Sequence, residues 1–330
     1  MSRSNFSFRR VRHAFALAAI GAAAALPTAA FAQAYPARPI TFVVPFAAGS
    51  ATDQLARALG NSITQETRQA VIVNDQAGAS GMMAAQFAAK AAPDGYTVLI
   101  TTNTTHAADE HLFRKMPYDP VKDFVPVTGL GKGGQVLVVR PDSPYKTVAD
   151  LIADARKNPG KLSFGSGSSS SRVAGEMLKQ MTHTDILHVP YKSNPNALTD
   201  LLGGQITFMI TDTATGVPQI KGGKLRALGV STTKRVALLP EVPTLDEAGV
   251  KGYDMGYWFA AYVPAGTPAA VVARLRELLI SGTGSAGARS FFETTGSSAW
   301  TTTSDELAKF QHGEAAKWGV VIKAAGIEPE

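Results

Sequence analysis

The chain contains no cysteine. That one absence removes a disulfide framework, a thiolate metal site, a cysteine nucleophile and an acylated cysteine anchor. Long hydrophobic runs are missing after the first 32 residues, so no later stretch reaches the length that spans a bilayer. Histidine is scarce, six in 330 residues. His106 and His111 miss the i,i+4 spacing of helical metal ligands, and neither a metal nor a cofactor is expected. Walker loops and G-x-S-x-G elbows are also absent. "GLGKGG" (129–134) fits G-x-G-x-x-G, but it precedes a strand pattern and not a helix, which removes the dinucleotide reading.

Acidic residues are wholly lacking in the first 32 positions, which hold Arg3, Arg9, Arg10 and Arg12. The run "AFALAAIGAAAAL" follows, then "AAFA" ending at Ala32 as a small-x-small cleavage site, together the pattern of a secretory signal. Val11, Arg12 and His13 fit twin-arginine export poorly, so general secretion is expected. Without its signal the chain keeps 28 basic residues against 26 acidic ones, a net of +2. The basic isoelectric point is thus largely an export feature and argues for no nucleic-acid partner. With no lipid anchor and no span, a cleaved product of a bacterium with two membranes is expected free in the periplasm.

What is present is an alternation of apolar β-rich runs and helical patterns. "ITFVVPF" from Ile40 reads as a buried strand. "TDQLARALGNSITQET" follows, with Leu55, Leu59 and Ile63 on one helical face. "AVIVND", "GMMAAQFAAKAAPDG" and "YTVLITT" continue as strand, helix and strand, which predicts a parallel sheet with crossover helices. The pattern resumes with the strand "GQVLVVRPDSP" and with "TVADLIADARKNPGK", a helix opened by Thr147 as N-cap. "LSFGSGSSSS", "ILHVPYK", "ITFMITD", "KLRALGVST" and "YWFAAYVPAG" read as further strands. "PAAVVARLRELLISG" and "SDELAKFQHGEAAKWGVVIKAAG" read as the last long helices. These imply two α/β units, with the chain crossing near 129–139 and returning near 252–264.

Four turns follow strands and precede helices: "AAGSATD" (47–53), "TTNTTHAAD" (101–109), "GSGSSSSR" (165–172) and "YKSNPNA" (191–197). Loops beyond strand C-termini form the crevice of a doubly wound sheet. Helix N-termini there offer free N–H groups and a positive dipole end to a carboxylate or phosphate. Ser50, Thr52, Thr104, Ser168 and Ser170 add hydroxyls, and Arg172 or Lys192 adds charge. The bland reading is that such residues only cap their helices. Asp53 suits helix capping, with acceptance of a ligand or water proton as its second role. Tyr257 and Trp258, in the return crossover, are candidates to wall the cleft.

In these blocks the sequence resembles the Bug-type periplasmic substrate-binding proteins of the tripartite tricarboxylate transporter family. "YPARPITFVVPFAAGSATDQLAR" looks like the family's opening signature, with Gly49-Ser50 where a Gly-Gly pair is usual. "GASGMMAAQFAAKAAPDGYTVL", "MPYDPVKDFVPVT", "NPGKLSFGSGSSSSRVAGE", "HVPYKSNPNALTDLLGGQI", "GGKLRALGVSTTKRVALLPEVPTLDEAG" and "VPAGTP" follow in family order. One departure stands out: the family's serine-glycine block ends in a histidine where this chain has Arg172. The resemblance implies a two-lobe, type II-like periplasmic binding fold. Each lobe is expected to be a mixed, mostly parallel sheet flanked by helices, with the ligand cleft between them. Residues 33–132 and 256–330 are expected to form one lobe, and 133–255 the other.

The ligand-binding set read from the turns and the resemblance is Phe46, Ala48, Gly49, Ser50, Ala51, Thr52 and Asp53 from the first loop. Asn103, Thr104, Thr105 and His106 come from the next. Ser166, Gly167, Ser168, Ser169, Ser170 and Arg172 come from the serine turn, and Tyr191, Lys192 and Asp212 from the last strands. The expected function is capture of a small organic acid without chemical change, as a monomer delivering to the integral membrane subunits of a tripartite tricarboxylate-type transporter. Dicarboxylates, tricarboxylates, amino acids, terephthalate-like and nicotinate-like acids all stay open. Two alternatives remain at this point: a secreted serine hydrolase using the 166–171 serines, and a ligand-sensing partner of a sensor kinase.

Overall fold

The computed structural model describes residues 35–330; the expected signal segment lies outside them. The chain begins with β1 (Ile40–Val44), α1 (Ala51–Thr67), β2 (Val71–Asp75), α2 (Met82–Ala89) and β3 (Thr97–Thr102). As the alternation predicts, β1 pairs in parallel with both β2 and β3. Leu55, Leu59 and Ile63 of α1 are fully buried, so the fourfold spacing marks the face laid on the sheet. A buried π-helical turn (Thr104–Ala108) then leads into the short α3 (Asp109–Leu112).

Next comes β4 (Phe124–Val139), a 16-residue strand on which the whole sheet turns. Its first part, Phe124–Gly134, pairs antiparallel with β9 (Gly256–Pro264). Its second part, Gln135–Val139, pairs antiparallel with β7 (Phe208–Asp212) and β8 (Arg226–Val230). Between these lie α4 (Val148–Lys157), β5 (Ser163–Ser166), α5 (Ser169–Thr182), β6 (Leu187–Pro190) and α6 (Asn194–Leu202), with α7 (Thr213–Lys221) after β7. After β9 come α8 (Ala269–Thr283), α9 (Ala286–Thr295), the two-residue β10 (Ser298–Ala299) and α10 (Ser304–Ala324).

The main path of the sheet runs β2-β1-β3-β9-β4-β7-β5-β6. Parallel pairs occupy its two outer flanks, β1 with β2 and β3, and β5 with β6 and β7; the middle is antiparallel. Pro36–Glu330 packs as one compact unit, within which β4 carries the chain from one half of the sheet to the other. Strand alternation shows in its core contacts. Leu137 and Val139 face the larger apolar cluster, whereas Val136 and Val138 face the smaller one.

The strand pattern read from the sequence begins only at Gly134, whereas the first part of β4 carries Pro126 and four glycines. "GLGKGG" lies inside the strand and not before one. A Cβ at Gly129 would meet the Trp300 ring at 2.5 Å, and one at Gly133 would run into the Tyr257 hydroxyl. These glycines leave room for aromatic side chains that lie across the strand and supply the packing glycine lacks.

Candidate functional site

Each helix that matters here starts where a strand ends. β1 stops at Val44, the chain turns through Gly49 at φ +82°, and Ser50 caps α1 by accepting from the Asp53 N–H. Ser50 itself is extended, φ −65° and ψ 159°. The second position of the family's usual glycine pair therefore needs no glycine in this chain. On the other half, β5 ends at Ser166 and Ser168 caps α5 in a box with Ser171. β7 ends at Asp212, whose carboxylate caps α7 by accepting from the Thr215 N–H at 2.7 Å and also takes Asn194 Nδ2 at 2.7 Å.

These ends meet over one cleft. Phe46, Ser50, Ala51, Thr52 and Thr102 line it from the first half, with Ser168, Ser170 and Asp212 from the second and Tyr257 and Phe259 from β9. Seven of the expected ligand residues therefore share one space, and six of them stand at helix starts. The space is about 30 Å³, room for roughly two water-sized groups. Tyr257 is buried, which pushes its phenol well above the ordinary value and leaves it a neutral hydrogen-bonding group. Thr102 and Phe259 lie outside the residues singled out from the sequence, which named Tyr257, with Trp258, only as a candidate cleft wall. Period-two alternation from Tyr257 to Phe259 is the signal that both share a face, with Trp258 turned away to Glu314 Oε2 at 3.1 Å.

Asp53 does not line the cleft. It accepts the Gly49 N–H at 2.8 Å and pairs with Arg57 at 2.6 Å, so it organises the loop. Ala48 and Gly49 sit exposed on the rim, and Lys192 is exposed as well. Gly167 contributes backbone alone: a Cβ there would overlap the Ser193 carbonyl carbon. Asn103, Thr104, Thr105 and His106 are buried behind the cleft and do not line it. His106 stacks on Tyr262 with centroids 3.9 Å apart and takes Thr105 Oγ1 at 2.9 Å. Burial lowers its pKa to about 3, so the ring is neutral. Both amide atoms of Asn103, Thr104 Oγ1 and Thr211 Oγ1 are buried without a protein partner.

The serine turn also lines a second space of about 120 Å³, bounded by Ser166, Ser168, Ser169, Arg172 and Tyr191 with Ser80, His188, Pro190 and Glu330. Ser166 Oγ lies 2.6 Å from His188 Nε2, a nucleophile-to-base distance. Burial first, then the Arg172 and Lys179 charges, lower that imidazole to about 4, a weak base at neutral pH.

Residues 55–327 match the model of the tripartite tricarboxylate transporter family receptor. Protein BugT of Bordetella pertussis is 32% identical over 318 residues, covering 94% of this chain and 98% of its own. The structure of R. palustris Rpa4515 with adipate superposes with TM-score 0.87 at 34% identity, over 90% of this chain and all of that one. MatC of Rhodopseudomonas palustris, solved with bound malate, gives 0.83 at 29% identity, over 87% of this chain and 100% of that one.

Proposed function

This chain belongs to the tripartite tricarboxylate transporter family receptors, which are periplasmic solute-binding proteins, and from that premise we propose that its own solute is a small organic acid. The first-turn N–H groups of α1 and α5 bind the carboxylate, helped by the Ser50, Thr52, Ser168 and Ser170 hydroxyls. The observation that carries this reading is the convergence of those two helix starts, from opposite halves of the sheet, on one cleft. Free N–H groups and the positive dipole end make such a place an anion site without any metal. Adipate in Rpa4515 and malate in MatC are carboxylates held by similar chains.

The cleft is smaller than any such acid, so binding requires the two halves to part and close again about β4 and β9. The lobes that move are 33–132 with 256–330, and 133–255. A closed, loaded form of this kind is what the membrane subunits of a transporter discriminate from an empty one. Delivery to such a transporter from the periplasm completes the proposal.

Thermal denaturation of the purified protein across a panel of mono-, di- and tricarboxylates tests this. An acid that binds the folded form raises the midpoint with concentration. A panel in which no carboxylate moves it, while a neutral sugar or a cation does, overturns the reading.

A further inference from the structure

We infer that the space on the outer side of the serine turn is a second carboxylate subsite, with Arg172 as its cation and Glu330 as its resident occupant. The cleft then selects diacids over monoacids. This rests on the carboxylate reading of the first cleft. The two spaces share a wall, Ser168, so a ligand whose first carboxylate sits at the starts of α1 and α5 reaches the second around one side chain.

Arg172 is the cation that faces this second space, and its side chain is only 20% exposed. Its Nη1 donates to Glu330 Oε1 at 2.5 Å, while its Nε is buried without a partner. A guanidinium carries five donors in a fork built for a two-oxygen acceptor, so the bond to Glu330 leaves capacity unused. Hydroxyls of Ser166 and Ser169 stand on the same wall. The two titratable neighbours do not add opposing charge. His188 is held neutral at ordinary pH, and burial keeps the Asp109 carboxyl, bonded to Ser169, well above the usual carboxylate range.

Glu330 has the properties of a displaceable ligand. Its side chain is 59% exposed. Its other ties are backbone ones, the N–H to Leu112 O and the carbonyl from Arg114 N, each at 2.9 Å. The carboxylate can therefore swing out without loosening the chain that holds it. An ion pair this exposed at one end is weak, whereas a diacid anchored at its first carboxylate presents the second at high effective concentration. A monoacid fills the first cleft and leaves the Arg172–Glu330 pair as it is.

Calorimetric titration with adipate and with hexanoate, of equal carbon number, tests this. Wild type is expected to bind adipate at least about tenfold more tightly than hexanoate. Arg172→Gln is expected to bring that ratio to within about twofold with hexanoate affinity kept, and Arg172→Lys to restore part of it. Glu330→Gln, at a side chain too exposed to govern folding, is expected to tighten adipate about threefold and leave hexanoate unchanged. An unchanged ratio in Arg172→Gln, or weaker adipate binding in Glu330→Gln, overturns the subsite. Equal affinity of wild type for both acids defeats this inference alone; a wild type that binds neither, while another acid of the carboxylate panel raises its thermal midpoint, also defeats this inference and leaves the carboxylate reading standing.

Discussion

Ser169 Oγ donates a 2.5 Å hydrogen bond to Asp109 Oδ1, joining the start of α5 in one half of the sheet to α3 in the other. Both side chains are buried, 1% and 0% exposed, and the second carboxyl oxygen of Asp109 has no partner. The bond ties the two halves together beside the serine turn, and burial makes its acceptor costly to ionise.

That cost gives a pH dependence with a definite sign. Burial raises the folded-state pKa of Asp109, only partly offset by Ser169 and Arg172. The group's contribution to stability is therefore full below the ordinary carboxylate value and is lost as pH rises through the raised one. Asp109→Asn, which keeps an oxygen for Ser169, should gain stability relative to wild type as buffers go from acidic to neutral. Denaturant melts along a pH series measure it; a pH-independent difference removes Asp109 as the cause.

His106 works in the opposite direction. Its pKa is lowered by burial from 6.5 to about 3. Its contribution is thus fully present above the ordinary value and is lost as pH falls from there toward 3. Each tenfold change in a proton's binding constant is worth about 1.4 kcal/mol. The loss over that window is then on the order of a few kcal/mol. His106→Gln should flatten the acid limb of a stability-pH curve in part, since His188, lowered to about 4, contributes to the same limb. An acid limb of unchanged slope would falsify the assignment.

Gly167 and Gly49 should differ sharply when changed to alanine. At Gly167 the new Cβ meets the Ser193 backbone, which has nowhere to yield. Gly167→Ala is therefore expected to cost about 1–3 kcal/mol or more and to abolish ligand binding, since the serine turn must shift. At Gly49 nothing lies within 4 Å, and the cost is only that of the positive φ, about 1 kcal/mol. Urea titrations of the two variants decide, and equal losses contradict the packing account.

Ser168 and Asp53 separate contact from scaffolding. Ser168→Ala removes a cleft hydroxyl as well as a cap, and should weaken binding of a carboxylate about tenfold or more. Asp53→Ala removes the acceptor of the Gly49 N–H and the partner of Arg57, costing about 1 kcal/mol of stability with an indirect loss of affinity. Asp53→Asn, which keeps the acceptor, should recover most of that affinity. Calorimetry beside thermal melts distinguishes the two; no recovery in Asp53→Asn makes the charge itself part of the site.

The first loop and the serine turn were legible because their signals are local: an apolar strand, small residues, then a hydroxyl before a helical period. The same rules gave Thr147 as a cap, and it closes a box with Asp150 at the start of α4. Other features gave no such signal. Asn103–His106 look like Asn103-led turn residues facing a ligand, yet the π-helical turn buries them against Tyr262 and Tyr118. Nothing within a few residues of His106 marks the aromatic rings that cover it.

The sequence by itself determined the alternating strands and helices, the caps, and the family, because each depends on neighbours within a turn or two of chain or on blocks in fixed order. Only the tertiary structure decided which turns share a cleft, that "GLGKGG" is strand under Trp300 and Tyr257, and that Arg172 meets Glu330. Those pairings join residues more than a hundred positions apart. Such contacts form only after the sheet has closed, so their energies are set by packing and burial and leave no periodic trace in the chain.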